Sequence, residues 1–378
     1  MNVLALEPWY GGSHRPFLDG LVRHSHHAFR LVTMAARYWK WRMQGGAVTL
    51  ATKALDLHRG GFRPDVLFAT DYVNVPAFLA LTRPHFDRLP VVLFFHENQL
   101  TYPVRPGDER DYTYAYVNYL SALAADRLVF NSQYHLDEFF SELPALLRRF
   151  PDYTHLDTLP RLREKATVLH LGLDLEGLDR AAPAAEVEGV RDSGPPVVLW
   201  NHRWEHDKQP EAFFRVMNRL DDAGSRFRLI LAGEHFEEQP PEFERAFQRY
   251  AERILHYGYA EDFAEYSRLL HRADVVVSTA RHEFFGISTL EAIHCGCHPL
   301  LPNRLTYPEL VPESIHRPLL HAPVLYESEE QLFEVLRRLL RGEDKPLPKA
   351  VLREITAPLA WPRQVQRYDA LLEEAAAR

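Results

Sequence analysis

The 378-residue sequence predicts an α/β protein built from two successive parallel-sheet domains. Two observations lead there. The length exceeds what one hydrophobic core usually fills. Short apolar runs, most stopping in polar or glycine-containing residues, alternate with helical stretches and restart after an Ala/Pro/Glu/Asp-rich segment at 172–196. Such runs suit strands buried on both faces, and open sheets of this kind bind ligands beyond their strands' carboxyl ends. The expected division is a domain at 1–171, a linker at 172–196, a second domain at 197–349 and a helical tail at 350–378, interrupted at Pro358 and Pro362.

Residues 3–6 form the first expected strand. Its exit loop runs from Glu7 to His14, where Gly11 and Gly12 let backbone approach a ligand and Ser13 can cap the next helix; a tight structural turn is the competing reading. Strands follow at 29–33, 65–70, 91–95 and 127–130. Their exits carry Asp71-Tyr72, His96-Glu97-Asn98-Gln99 and Asn131-Ser132. Residues 168–171 close the half.

The second half restarts with strands at 197–200, 228–232, 254–258 and 275–279, and a further one at 297–302. Between the last two, a polar loop ends at Gly286, and Ser288, Thr289 and Glu291 open a helix that stops at Gly296. Glu283 and Glu291 frame Phe285, Gly286 and Ile287, whose N–H groups at a helix N-terminus favour phosphate. Carboxylates accept hydrogen bonds from hydroxyls. The set suits a sugar–diphosphate–ribose ligand, with Glu283 on the sugar, the N–H groups on phosphate and Glu291 on ribose. Two acids on a solvated loop is the competing reading; the strand before them and the glycine between them weigh against it. On a neighbouring loop Arg203 and Lys208 form a candidate diphosphate clamp, set against a basic loop merely paired with Glu205 and Asp207. Tyr257-Gly258-Tyr259 ends another strand, where backbone can receive a purine.

The net charge of −8 argues against wholesale nucleic-acid binding but not against a local patch. Residues 30–42, RLVTMAARYWKWR, supply one: Arg30, Arg37, Lys40 and Arg42 can follow phosphates while Tyr38, Trp39 and Trp41 stack on unpaired bases. An amphipathic helix with solvated charges fits equally well. Cys295 and Cys297 flank Gly296 and cannot comfortably staple anything, which points to a reducing compartment. With no basic leader and no apolar run of spanning length, a soluble, cytoplasmic protein is expected. Twenty histidines are scattered without ligand spacing, and no suitable Asp-x-Asp motif occurs, so no metal is expected.

The run from Glu283 to Glu291, EFFGISTLE, resembles the signature of retaining glycosyltransferases of the GT-B fold. LEPWYGGSH at Leu6 to His14, FFHENQLTYP at Phe94 to Pro103 and FNSQYH at Phe130 to His135 narrow the resemblance to the tRNA-queuosine α-mannosyltransferase family, over nearly the whole chain. It implies two Rossmann-like domains facing across a cleft, with a C-terminal helix crossing back to the first and Trp361 anchoring it. It also implies mannose transfer from GDP-mannose, with retention and without a metal cofactor, to queuosine in the anticodon of tRNA-Asp. His96 would then lie near the reacting carbon, and Gly12 would let its loop close over phosphate; for His96 a satisfied sheet-edge histidine is the alternative. Glu97 would orient His96 or touch the acceptor. Two rivals stand beside this: a glycosyltransferase for a lipid, polysaccharide or small molecule, and a catalytically silent nucleotide-sugar- or RNA-binding protein.

Overall fold

A computed structural model describes residues 1–104, 107, 109–188, 194–234, 240–316 and 318–377. They form two compact units: Met1–Gly172 with Trp361–Arg378, and Leu173–Ala360. The first unit contains β1 (Asn2–Tyr10), β2 (Ala28–Ala35), β3 (Val66–Thr70), β4 (Val91–Phe95), β5 (Arg127–Phe130) and β6 (Ala166–Val168), all parallel, in the order β2-β1-β3-β4-β5-β6. The second contains β7 (Val197–Asn201), β8 (Arg228–Ala232), β9 (Ile254–Gly258), β10 (Val275–Val277), β11 (His298–Pro302) and β12 (Leu325–Tyr326), also parallel, in the order β12-β11-β10-β7-β8-β9. Every residue of β3, β4, β7 and β11 is buried, as apolar runs covered by helices on both faces require. In each sheet the order reverses beside the first strand, between β1 and β3 and between β7 and β10. These switch points are where such sheets leave room for ligands.

Several boundaries differ from the sequence reading, beginning with β1, which runs on through the start of the expected exit loop to Tyr10. The segment 172–196 is not a free linker at its start: Leu173 pairs with Ala360, and the helix Leu175–Ala181 is held in the second unit by Arg353 on Asp179 at 2.6 Å and by Ser267 on the Leu178 carbonyl at 2.6 Å. Within that segment, Gly189 to Ser193 lie outside the described residues. The tail also divides. The helix Lys349–Thr356 stays with the second unit, and only Trp361–Ala376 joins the first. Buried Trp361 explains that attachment, because its indole occupies space that a Cβ at Gly20 or Gly172 would enter, at 2.1 and 2.2 Å, and it stacks on His24. Finally, β6 lies at Ala166–Val168, ahead of the expected 168–171.

The stretch 30–42 is not one face of one helix. β2 runs to Ala35, Tyr38 adopts φ +54°, and a helix begins at Trp39 and continues to Arg59. Arg30 therefore sits on the strand, near the Phe62 ring, apart from the helical residues. Among the described residues no helix is long and apolar enough to cross a membrane.

Candidate active site

In the second unit, the loops leaving β7 and β10 meet through Lys208. Its buried ammonium donates to the His282 carbonyl at 2.7 Å and lies 3.2 Å from Asp207 Oδ2 and 3.4 Å from Glu283 Oε2. Burial disfavours the charge, yet the Glu283 and Asp207 carboxylates more than offset this and raise the Lys208 pKa. Glu283 is correspondingly held below the usual glutamate value: burial pushes it up, but the opposing pulls, Lys208 first among them and the Phe285 N–H included, together outweigh it. The pair is therefore ionised at neutral pH. His202 and His282 beside it are pushed down to about 4, chiefly by burial and then by Lys208, and are neutral.

The other oxygen of Glu283 is engaged as well. Oε1 accepts the Phe285 N–H at 3.4 Å and the Gly286 N–H at 3.1 Å. Two donors expected to face phosphate thus face Glu283, because a carboxylate just ahead of a helix satisfies its orphan N–H groups. Gly286 caps the helix Ile287–Cys295 with φ +83°, and a Cβ there would come within 3.3 Å of the Tyr307 ring. Glycine is required at this position.

Glu291, on that helix, accepts from the Tyr266 hydroxyl at 2.7 Å. Asn201, at the end of β7, donates to the same hydroxyl at 3.0 Å and to the Ser288 carbonyl at 3.2 Å; Ser288 Oγ returns a bond to the Asn201 carbonyl at 2.7 Å. Burial raises Glu291 to about 7, with the Tyr266 bond pulling the other way. Arg203 is half exposed and pairs with Glu205 at 3.5 Å, although its charge is felt at Lys208. Tyr259 is exposed beyond β9 and stands outside these hydrogen bonds. Thus Lys208, Glu283, Phe285 and Gly286 are brought together, with Arg203 nearby. Glu291 belongs to an adjoining network, and Tyr259 to neither.

The first unit gathers a second set where β1, β3 and β4 end. His96 is buried, its backbone N–H donating to Asp71 Oδ1 at 2.9 Å and its carbonyl accepting from Asn131 at 2.9 Å. Its ring stacks on His14 with centroids 3.9 Å apart. His14 in turn pairs with buried Glu7 at 3.0 Å. Burial alone would lower His14, but Glu7 above all, with Asp71 and Glu97, raises it to about 9, so it is a cation. Burial and that cation keep His96 neutral. His96 Nε2 and Asp71 Oδ2 have no hydrogen-bond partner among the described residues, as befits atoms that receive a ligand. Gly11 packs closely, since a Cβ would meet that of Ala36 at 2.5 Å, whereas Gly12 (φ +51°) has open space beside it.

Sequence reading did not assign Glu7, His14 and Asp71 to the site, nor Tyr266 and Asn201. Asp71 and His96 directly after β3 and β4, and Glu7 after the expected strand at 3–6, are the available signal. Tyr72 extends this cluster outward. Its hydroxyl donates to Glu97, and its ring stacks on His14 at 5.5 Å and Trp39 at 6.4 Å. Just beyond Trp39, Tyr38, Lys40 and Trp41 are exposed.

Two parallel sheets, with an acid–lysine pair at a helix N-terminus of the second, define a GT-B glycosyltransferase. Known proteins agree: residues 184–349 match the family described as "Glycosyl transferases group 1". Over the chain's full length the fold is similar to sucrose-phosphate synthase from Thermosynechococcus elongatus (15% identity, TM-score 0.73, all of both chains). It is also similar to Anabaena HepE in complex with UDP and glucose (14%, 0.68, 99% of both). Residues 2–173 match "tRNA-queuosine alpha-mannosyltransferase N-terminal", and the chain is 34% identical over 315 residues to the Drosophila melanogaster tRNA-queuosine alpha-mannosyltransferase, covering 82% of each. The chain belongs to the tRNA-queuosine alpha-mannosyltransferase family.

Proposed function

We propose that this glycosyltransferase moves mannose from GDP-mannose, with retention, to queuosine in the anticodon loop of tRNA-Asp, in the reducing cytoplasm that its two free cysteines suit. The observation that supports the chemistry is Lys208, buried and charged between Glu283 and Asp207 at a helix N-terminus. The acceptor rests on the insect relative's similarity.

In this reading the bond from the sugar C1 to the diphosphate oxygen breaks, and negative charge grows on the leaving GDP. Lys208, with Arg203 closing in from its exposed position, stabilises that charge, doing without a metal what a divalent ion does elsewhere. The N–H groups of Phe285 and Gly286 pass from Glu283 Oε1 to phosphate, with Ile287 beside them. Glu283 is thereby released to hold sugar hydroxyls, while Glu291 holds ribose and backbone near Tyr259 receives the guanine. A queuosine hydroxyl attacks C1 on the face the diphosphate leaves, and a donor phosphate oxygen takes its proton. His96 and Asp71 present their unpartnered atoms to the sugar and the acceptor diol. Gly11 and Gly12 let their loop approach phosphate. The exposed Tyr38, Lys40 and Trp41 stack on and pair with the anticodon loop.

Release of nucleotide from GDP-mannose and from UDP-sugars, with tRNA containing or lacking queuosine, tests this reading. Turnover with GDP-mannose that requires queuosine supports it. Turnover with a UDP-sugar alone, or equally on tRNA lacking queuosine, contradicts it.

A further inference from the structure

At the far end of the first helix the chain leaves His24, turns through Ser25 in extended geometry and presents His26 and His27 before β2. Asp369 and Glu373, one turn apart on the C-terminal helix Trp361–Ala376, face them. His26 Nε2 lies 3.0 Å from Glu373 Oε1, and His27 Nε2 lies 3.6 Å from the same oxygen. One ligand atom from each of His26, His27 and Glu373 lies within 4.8 Å of the other two.

Two features go beyond an ordinary ion pair. His27 is buried, yet neither of its ring nitrogens has a hydrogen-bond partner among the described residues. Leaving such groups unsatisfied is unfavourable, and Nε2 is the one that faces Glu373. Meanwhile the other nitrogen of His26, Nδ1, lies 2.8 Å from Asp369 Oδ2, and Ser25 Oγ holds Asp369 in place. A carboxylate on the far nitrogen is how proteins fix the tautomer and orientation of a metal-ligating imidazole. Donors about 2.1 Å from a tetrahedral ion lie about 3.4 Å apart, close to the two spacings found here.

We propose that His26 Nε2, His27 Nε2 and Glu373 Oε1 bind a divalent transition ion of the zinc class, with Asp369 as the orienting partner and water completing the shell. Two imidazoles and one carboxylate select zinc or cobalt over magnesium or calcium, which prefer all-oxygen sites. The site has no part in sugar transfer. It ties the returning C-terminal helix to the start of β2 across 347 residues of sequence. The buried set Glu7, His14 and His96 also has ligand-like spacing, but it belongs to the candidate active site already described.

The test uses the full chain stripped with chelator and titrated with Zn²⁺ and with Co²⁺. The wild type should bind one Co²⁺ with the visible absorption of a low-coordinate nitrogen–oxygen site, and Zn²⁺ should raise its melting temperature. Glu373→Gln and His26→Gln, both at exposed side chains that folding tolerates, should weaken binding tenfold or more. Asp369→Asn should weaken it by about 10–100-fold, as expected for an orienting partner. No stoichiometric binding by the wild type, or undiminished affinity in Glu373→Gln and His26→Gln, would overturn the proposal.

Discussion

Lys208 Nζ stands 3.4 Å from Glu283 Oε2, bridging the loops that leave β7 and β10, and both side chains are charged although little of either meets water. Breaking one partner of such a pair leaves a buried, uncompensated charge, which costs about 3–5 kcal/mol. Lys208→Ala should therefore lower both stability and turnover. Glu283→Gln keeps the shape and leaves Asp207, 3.2 Å from the ammonium, to offset Lys208, so it should cost mainly turnover, by roughly 10²–10³-fold if it acts on the transition state. Denaturant midpoints and kcat for the two variants separate these effects; equal losses of stability in both would contradict the assignment.

Glu291 gives a pH signature. Its carboxyl is raised from the ordinary 4.5 to about 7, so between these values the native state holds a proton that the unfolded chain has lost. Its contribution to stability therefore declines as pH rises from about 4.5 to about 7 and is level above that. Urea midpoints across this window should fall less in Glu291→Gln than in the wild type. Tyr266→Phe, which removes the bond holding the pKa down, should extend the decline upward.

The Glu7–His14 pair behaves oppositely. His14 is raised from 6.5 to about 9, so its stabilisation is complete below pH 6.5 and is lost as pH rises through about 9. Glu7→Gln should remove that loss and lower stability at pH 7. Histidine ring-proton shifts followed by NMR would report the pKa directly.

Gly286→Ala places a side chain at φ +83° and against Tyr307. A loss of about 1–3 kcal/mol is expected, accompanied by weaker nucleotide binding because the loop and helix start must shift. Calorimetric titration with GDP checks the second part; unchanged affinity would mean that the helix N-terminus does not meet the nucleotide.

Much of the fold was legible because apolar, β-branched runs such as Val91–Phe95 and Arg228–Ala232 have one reading in a parallel sheet, and the structure returns those bounds. β12 was not legible, since two residues carry no pattern. At the site, Lys208 and Glu283 were identifiable from motif and loop position. Glu7, His14 and Asp71 acquire meaning only when β1 and β3 lie side by side. The hydrogen bonds from Phe285 and Gly286 to Glu283 depend on a side-chain rotamer that spacing does not encode. The same holds for Arg30, which pattern grouped with Lys40 and Trp41 until the backbone turned at Tyr38.

Lys40→Glu with Trp41→Ala tests the acceptor surface. Both side chains are exposed, so folding should be unaffected. Binding of tRNA should weaken and its salt dependence become shallower, by about one charge contact for Lys40. Hydrolysis of the sugar nucleotide should be spared. Unchanged tRNA affinity would remove this helix from the interface.

The most direct measurement is the mass of the queuosine nucleoside after queuosine-containing tRNA is incubated with GDP-mannose and either wild type or Glu283→Gln. One added hexose with the wild type and little or none with the variant is the predicted result. Unmodified queuosine with both proteins, while nucleotide is still released, would contradict queuosine as the acceptor.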